Sequence, residues 1–256
     1  MYDLQRASMS KRISAFLFDF ILILVVAVGF AWLISLVTGF YGTVDSFSAE
    51  LEKSGIDLTL TEEEYNAFSE AERKEYDAKL EALNSNEQLV NDYFRINSLV
   101  LVMITLAPFL AFLVMEFAIP LFFGNGQTLG KKIFAIGVMR SDGVKLTAPI
   151  LFARSMLGKL TIETLIPIYM IVMIFMRSIL GVALLDPLVC LVIAAAVVLT
   201  NLTCFLSSRR LTALHDHFAS TVAVDMHTQM IFETKDEMLE YKKRLHRELV
   251  DKSEYK

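Results

Sequence analysis

Four long apolar runs dominate the pattern of hydrophobic and polar positions along this 256-residue chain. They lie at about 14–38, 98–123, 161–181 and 184–206, and blocks rich in charged residues separate them. A helix that crosses the hydrocarbon core of a bilayer needs about 20 apolar residues. Each run is therefore predicted to be a transmembrane helix, and the whole pattern predicts an all-α membrane protein with four transmembrane helices.

The segments between the runs differ in charge, and this difference predicts the orientation of the chain. Residues 41–97 carry 14 acidic and 5 basic residues, whereas 124–160 carry 6 basic residues and 1 acidic residue. Lys and Arg concentrate in the cytoplasmic loops of membrane proteins. We therefore expect a multi-pass protein in the lipid bilayer, with the N- and C-termini in the cytoplasm and 41–97 outside.

Two charged segments lie outside the predicted spans. In the acidic insertion 41–97, Thr61 and Glu64 have the spacing of a helical capping box, so we expect an extracytoplasmic helical insertion. It is interpreted either as a solvated helical hairpin or as a surface that binds a cation or a partner. The charged cytoplasmic tail 226–256 has mixed charges at helical spacing and is either a solvated helix or a partner-binding one.

The stretch FFGNGQTLGKKIFAIGVMRSDG, residues 122–143, has the glycines and the Gly-Lys pair of a phosphate-binding loop. The phosphate-loop motif requires a glycine five positions before the Gly-Lys pair and Ser or Thr after it. Here Asn125 and Lys132 occupy those positions. We therefore predict no nucleotide, and we expect no cofactor and no nucleic-acid partner.

The same stretch predicts a cytoplasmic β-hairpin followed by an interfacial helix. Residues 133–140 are rich in strand-forming residues, 141–143 are typical of a turn, and 144–147 are predicted to pair back. Thr147 is a candidate N-cap, and the amphipathic, basic residues 149–160 are expected to lie at the inner membrane interface before the third span.

Four motifs in order carry a resemblance to a known family. RISAFLFD supplies Arg12 and Asp19, Arg154 follows the predicted turn, and Asp216 stands in RRLTALHDHFASTVAV. The stretch GQTLGKKIFAIGVMRSDG supplies Gly126, Thr128, Gly130, Lys131, Asp142 and Gly143. Together they resemble the RDD family of bacterial membrane proteins. The resemblance implies an RDD-like membrane domain over 6–225 in the bacterial cytoplasmic membrane, and some family members have been linked to sodium–proton exchange.

Charged residues inside the predicted spans form the candidate site. Asp19 and Glu116 fall at similar depth, and Glu163 begins the third span. An ionised carboxylate near the centre of a bilayer costs about 2.5–3.5 kcal/mol, so we expect Arg154 or Lys159 to pair with Asp19 or Glu116. The predicted charge cluster consists of Arg12, Asp19, Glu116, Arg154 and Glu163. It is interpreted either as a salt-bridged latch between helices or as a site where Asp19 and Glu116 exchange H⁺ and Na⁺.

Two functional hypotheses follow from these features. The first is a small cation- or proton-coupled transporter for H⁺ or Na⁺, acting as a homo-oligomer because four helices are few for a transporter. The alternative is a non-transporting membrane adaptor or assembly factor, which the outer insertion and the tail favour. No His-Glu-x-x-His or Gly-x-Ser-x-Gly motif occurs, so we do not expect an enzyme. His215 and His217 are two positions apart on a predicted helix and do not share a face, so no metal site is predicted and Asp216 is expected to bind an arginine or a backbone end.

Overall fold

The computed structural model describes residues 5–56, 60–180, 185–207 and 212–254. It is 77% helical and has four long apolar helices, as the hydropathy pattern predicts. The chain divides into two compact units. We call residues up to Ile23 together with those from Phe112 onward the cap unit, and Leu24–Ala111 the middle unit.

The first three spans begin before their predicted starts. Helix α1 is Met9–Thr38 and begins five residues before the predicted start. The second span, Glu87–Phe123, begins eleven residues before the predicted start and includes a π-helical turn at Val114–Ala118. Its extension starts at Asn86, whose side-chain oxygen accepts hydrogen bonds from the amides of Gln88 and Leu89. The fourth span is Pro187–Ser207, and the predicted boundary positions 181 and 184 lie outside the described residues.

The third span contains no break between an interfacial helix and a membrane helix. Residues 148–180 run as one helix, made of an α-helical turn Ala148–Phe152, a π-helical stretch Ala153–Leu165 and an α-helix Ile166–Leu180. In the π stretch, the hydroxyls of Thr161 and Thr164 bind the carbonyl oxygens five residues earlier, at 2.9 Å each. The prediction of a separate helix over 149–160 is therefore corrected to a continuous one.

The middle unit contains three shorter helices, which confirm the helical prediction for the described part of 41–97. They are α2 (Phe40–Ser54), α3 (Glu62–Ala67) and α4 (Glu70–Asn84). Thr61 and Glu64 form the predicted capping box, and Ser69 and Glu72 form a second one. A small core of Ile56, Leu83 and Leu89 packs against Phe47, Leu51 and Tyr76.

In chain order, the second span is α5 and the third is α7, with a five-residue helix α6 (Leu129–Ile133) between them. The fourth span is α8, and a short helix α9 (Leu214–Phe218) and a long one, α10 (Lys235–Glu254), follow it. Two strands, β1 (Ile136–Arg140) and β2 (Thr221–Asp225), complete the described elements.

The predicted β-hairpin forms only in part, and the main partner strand of β1 is a different one. β1 pairs antiparallel with β2, with Val138 opposite Ala223, so the partner strand comes from a segment more than 80 residues later in the chain. Residues 144–147 pair back with β1 at one antiparallel bridge, between Met139 and Lys145. Thr147 and Pro149 already begin α7, which leaves this segment too short for a ladder.

Other segments add to the edges of this sheet and form what we call the β cap: β1, β2 and the residues bridged to them. Arg6 bridges Val224, and Val144 bridges Phe232. Val138 and Val224 are fully buried in it. Phe232 and Met238 are also buried, so the first residues of the predicted tail pack on the cap unit.

Candidate functional site

Asp19 is held by the loop that follows the second span. Thr128 caps α6, and its hydroxyl donates to one carboxylate oxygen of Asp19, while the amide of Gly130 donates to the other at 2.7 Å. A Cβ at Gly130 would lie 2.4 Å from the carbonyl oxygen of Ala15, so only glycine allows this approach. Asp19 therefore joins α1 to α6 through neutral donors, and the described contacts place no arginine or lysine in hydrogen-bond range of it.

Glu116 forms the ion pair that its position in the second span predicts. It is buried in the π-helical turn of α5, and Lys159 Nζ donates to its Oε1. The expectation that Lys159 pairs with an intramembrane acid is thereby confirmed. Among the described residues, no group hydrogen-bonds to Glu116 Oε2, which is also buried.

Asp216 is the partner of the two arginines. Arg154 Nε donates to its Oδ1 at 2.8 Å, and Arg12 Nη2 lies 3.6 Å from its Oδ2. The hydroxyl of Thr221 also donates to Oδ1 at 2.8 Å. Burial alone would raise the pKa of Asp216, but the charge of Arg154 and these donors hold that pKa below its usual range. Arg154 thus binds Asp216 rather than Asp19 or Glu116, and Asp216 binds arginine as predicted.

His215 connects Glu163 to Arg154, a role that the sequence did not reveal. Glu163 accepts from the backbone amide of His215 at 2.6 Å, and its Oε2 lies 2.9 Å from Nδ1. Arg154 Nη2 lies 3.0 Å from Nε2. Because arginine only donates, Nε2 must accept and Nδ1 carries the proton, so the ring is neutral. Burial lowers the pKa of His215, in agreement with a neutral ring.

The charged residues of the candidate site in the second and third spans lie in π-helical stretches. Glu116 is in the π-helical turn of α5, and Arg154, Lys159 and Glu163 are in that of α7. π turns inside α-helices are rare and are frequently found at functional sites. Sequence periodicity carries no signal for them, so the prediction missed both.

A cavity of about 470 Å³ lies between the β cap and the ends of α1, α7 and α8 that are next to it. α1, α6, α7 and α8 contribute to its wall, together with Ile136 and Ala223 of the sheet. Its charged lining consists of Arg12, Asp19, Lys131, Arg154, Lys159 and Glu163. Its size is within the usual range for ligand pockets, about 300–1,000 Å³.

The remaining predicted positions lie in the loops on either side of β1. Gly126 has a φ of +59°, and a Cβ there would lie 2.7 Å from Leu146 Cδ1. Gly143 forms the turn with a φ of +95°, and Asp142 binds Arg140 at 2.8 Å. These three residues do not line the cavity. Among the described residues, no group of three or more His, Cys, Asp or Glu side chains is arranged to hold a metal ion.

The model of the RDD family matches residues 6–220. The chain belongs to the RDD family. The match spans all four apolar helices of this RDD family member and ends one residue before β2 begins. No curated protein and no solved structure matches the chain. Family membership and the four apolar helices together identify a membrane protein.

Proposed function

We propose that this RDD family protein is a proton-coupled transporter, that the charged cavity is its binding site, and that it acts as an oligomer. The observation that carries this proposal is the cavity itself, which brings charged side chains of two membrane spans together with Lys131. Ionisable residues within spans are rare and commonly mark substrate or proton pathways. The basic loops favour a cytoplasmic location for the β cap and both termini.

Asp19 and Glu163 are the acids proposed to take up the coupling ion. Both line the cavity, whereas Glu116 does not and remains an untested candidate. We expect these carboxylates to take up H⁺ rather than Na⁺. The oxygens of Asp19 and Glu163 already accept hydrogen bonds or lie next to a protonated nitrogen. A Na⁺ ion would need several oxygen ligands that are not engaged in this way. Exchange of H⁺ for Na⁺ remains the second version of the proposal.

The oligomer is proposed because the spans are sparsely packed within one chain. Only 6% of the most apolar 18-residue window of α1 is buried inside the structure. In a bilayer these apolar side chains face lipid or a second copy, and only the second copy would enlarge the transport path.

Proton flux in liposomes tests the carrier proposal. Purified protein is reconstituted with a pH-sensitive dye inside, and a Na⁺ or K⁺ gradient is imposed. We expect flux by the wild type, loss of flux in Asp19→Asn and Glu163→Gln, and normal flux in the control Asp45→Asn, whose side chain is exposed on α2. Wild-type-like flux in a folded Asp19→Asn variant would reject the role of Asp19.

The middle unit favours the adaptor as a second candidate. Its three short helices form a small core of their own, which a minimal carrier does not require. If the adaptor function is correct, deleting 45–84 removes copurifying proteins while leaving the cap unit folded. An unchanged set of copurifying proteins would remove the support for this candidate.

A further inference from the structure

We propose that the cavity binds the phosphate group of an acidic membrane lipid, with Lys131 as its principal ligand and the lipid chain along α1 and α8. This inference concerns the cavity that the proposed function treats as the binding site, and it names a ligand for that cavity. The ligand is bound whether or not the protein transports it.

The cavity wall has hydrogen-bond donors that no described residue uses. The Lys131 ammonium lines the cavity, and it has no hydrogen-bond or ion-pair partner in the described parts of the chain. Lys159 Nζ donates one hydrogen bond to Glu116. Asn201 accepts from the amide of Leu214 at 3.1 Å, which leaves its NH₂ group available to a ligand. A ligand that enters therefore meets N–H groups that need acceptors.

The acceptors of the wall are already engaged. Asp19 accepts from Thr128 and Gly130, and Glu163 accepts from the amide and the ring of His215. A cation would have to displace the donors that already bind these carboxylates. An anion would instead accept hydrogen bonds from the N–H groups that no described residue uses. A phosphate offers several acceptor oxygens, and charge-assisted bonds from an ammonium to phosphate are among the stronger hydrogen bonds.

The balance of charge favours a singly charged phosphate diester. Four cationic and two acidic side chains line the cavity. Glu116 and Asp216 lie behind this wall, bound to Lys159 and Arg154, and they balance the remaining positive charge. Four cations and four acids therefore cancel, so the unused donors of Lys131 can accept a single negative charge, while a multiply charged group would leave a larger uncompensated charge beside the acids.

The apolar part of the wall indicates that the phosphate comes from a lipid. Phe16 on α1 and Val198 and Leu202 on α8 line the cavity, and their exposed fractions are 54%, 54% and 49%. In a bilayer such side chains face hydrocarbon. Basic pockets between transmembrane helices are a known setting for acidic lipid head groups. A free phosphate ion would use the donors but leave this apolar wall without a partner.

The burial of Lys131 supports the proposal that its ammonium binds an anion. It lowers the pKa of Lys131 to about 8, so the charged form is destabilised by its surroundings. A bound phosphate would provide the counter-charge that the described residues do not place in contact with the ammonium.

Native mass spectrometry of the full chain tests the proposal with phosphatidylglycerol, which carries one phosphate diester charge, and with zwitterionic phosphatidylcholine. We expect phosphatidylglycerol to bind the wild type and phosphatidylcholine not to. Lys131→Gln should weaken phosphatidylglycerol binding by about tenfold or more, as loss of a charge-assisted bond does. Lys131→Arg should keep the binding, and so should the control Lys132→Gln, whose side chain is exposed and does not line the cavity.

Three outcomes would overturn the proposal. The first is equal phosphatidylglycerol binding by Lys131→Gln and the wild type, with both shown to be folded by their unfolding midpoints. The second is equal binding of phosphatidylcholine. The third is displacement of the lipid by micromolar inorganic phosphate, which would assign the site to the free ion. Because no flux is measured, these outcomes are independent of whether Asp19→Asn abolishes transport.

Discussion

The cap unit and the middle unit use polar side chains in opposite ways. In the cap unit, buried charges pair across the sequence: Lys159 and Glu116 are 43 residues apart, and Arg154 and Asp216 are 62 apart. In the middle unit, the capping boxes of α3 and α4 join residues three positions apart, and they are exposed. Buried, long-range pairs fix the arrangement of elements, whereas local caps only fix where a helix begins. Substitutions should therefore be costly in the first unit and mild in the second.

The largest expected effect is that of removing the shared carboxylate of the cap unit. Asp216→Ala leaves Arg154 buried without its partner, and breaking one side of a buried ion pair costs about 3–5 kcal/mol. The exposed Asp45→Ala in the middle unit should change the free energy of unfolding by about 0.5 kcal/mol or less. Thermal unfolding in detergent measures both. Similar losses for the two variants would break the comparison.

Replacing glycine by alanine should change the free energy of unfolding in opposite directions in the two units. At Gly130 the new Cβ meets the Ala15 carbonyl at 2.4 Å and Asp19 Cγ at 2.9 Å, and such overpacking costs about 1–3 kcal/mol. At Gly42, inside α2, nothing lies within 4 Å, and alanine should stabilise the helix by about 0.5–1 kcal/mol. The unfolding midpoints of the two variants check this. A stabilising Gly130→Ala would contradict the close approach of α6 to α1.

Thr128 and Thr61, whose side chains both cap a helix, should also differ in their effect on stability. Thr128→Ala removes a cap and leaves one oxygen of the buried Asp19 without its donor, so about 1–3 kcal/mol should be lost. Thr61→Ala removes a cap on the exposed helix α3 and should cost about 1 kcal/mol. Hydrogen exchange separates the two cases: Thr61→Ala should raise exchange only in Glu62–Ala67, and Thr128→Ala should raise it in α1 as well. Exchange confined to α6 in the second variant would count against the link to Asp19.

A pH dependence of the free energy of unfolding is expected from Lys131. Its pKa in the folded protein is lowered by burial to about 8, against 10.5 for the free side chain. Between these two values the unfolded chain binds more protons, so the free energy of unfolding rises as the pH increases from about 8 to 10.5. Glu116, Arg154, Lys159 and Asp19 surround the ammonium and modulate the rise. Lys131→Gln should lose this rise in a titration of the unfolding midpoint, and Lys132→Gln should keep it.

Local signals explain which parts of the molecule the sequence predicted. The four spans and the Thr61–Glu64 capping box depend on composition and on spacing within one turn or one run, and the structure confirms both. The pair Lys159–Glu116 is one of the pairings that were expected, because a carboxylate within the membrane needs a partner. These arguments require no knowledge of how distant segments meet.

Long-range pairing explains what the sequence did not predict. Val144–Thr147 was expected to pair with β1 because it is adjacent in the chain, whereas no strand was predicted in the closing motif that contains β2. The alternating pattern of TVAVD, residues 221–225, was the available signal for that strand. For the bridge from Glu163 through His215 to Arg154, no local pattern exists, since 52 residues separate Glu163 from His215. The family resemblance pointed to Asp216 but not to its partners.

A double-mutant cycle on Arg154 and Asp216 tests the central claim most directly, namely that buried long-range charge pairs hold the cap unit together. The single variants Arg154→Met and Asp216→Leu are combined, and the same cycle is made with the exposed pair Glu75 and Lys79 of α4. We predict a coupling energy of about 2 kcal/mol or more for Arg154 and Asp216, and about 0.5 kcal/mol or less for the exposed pair. Equal coupling energies for the two pairs would contradict the account.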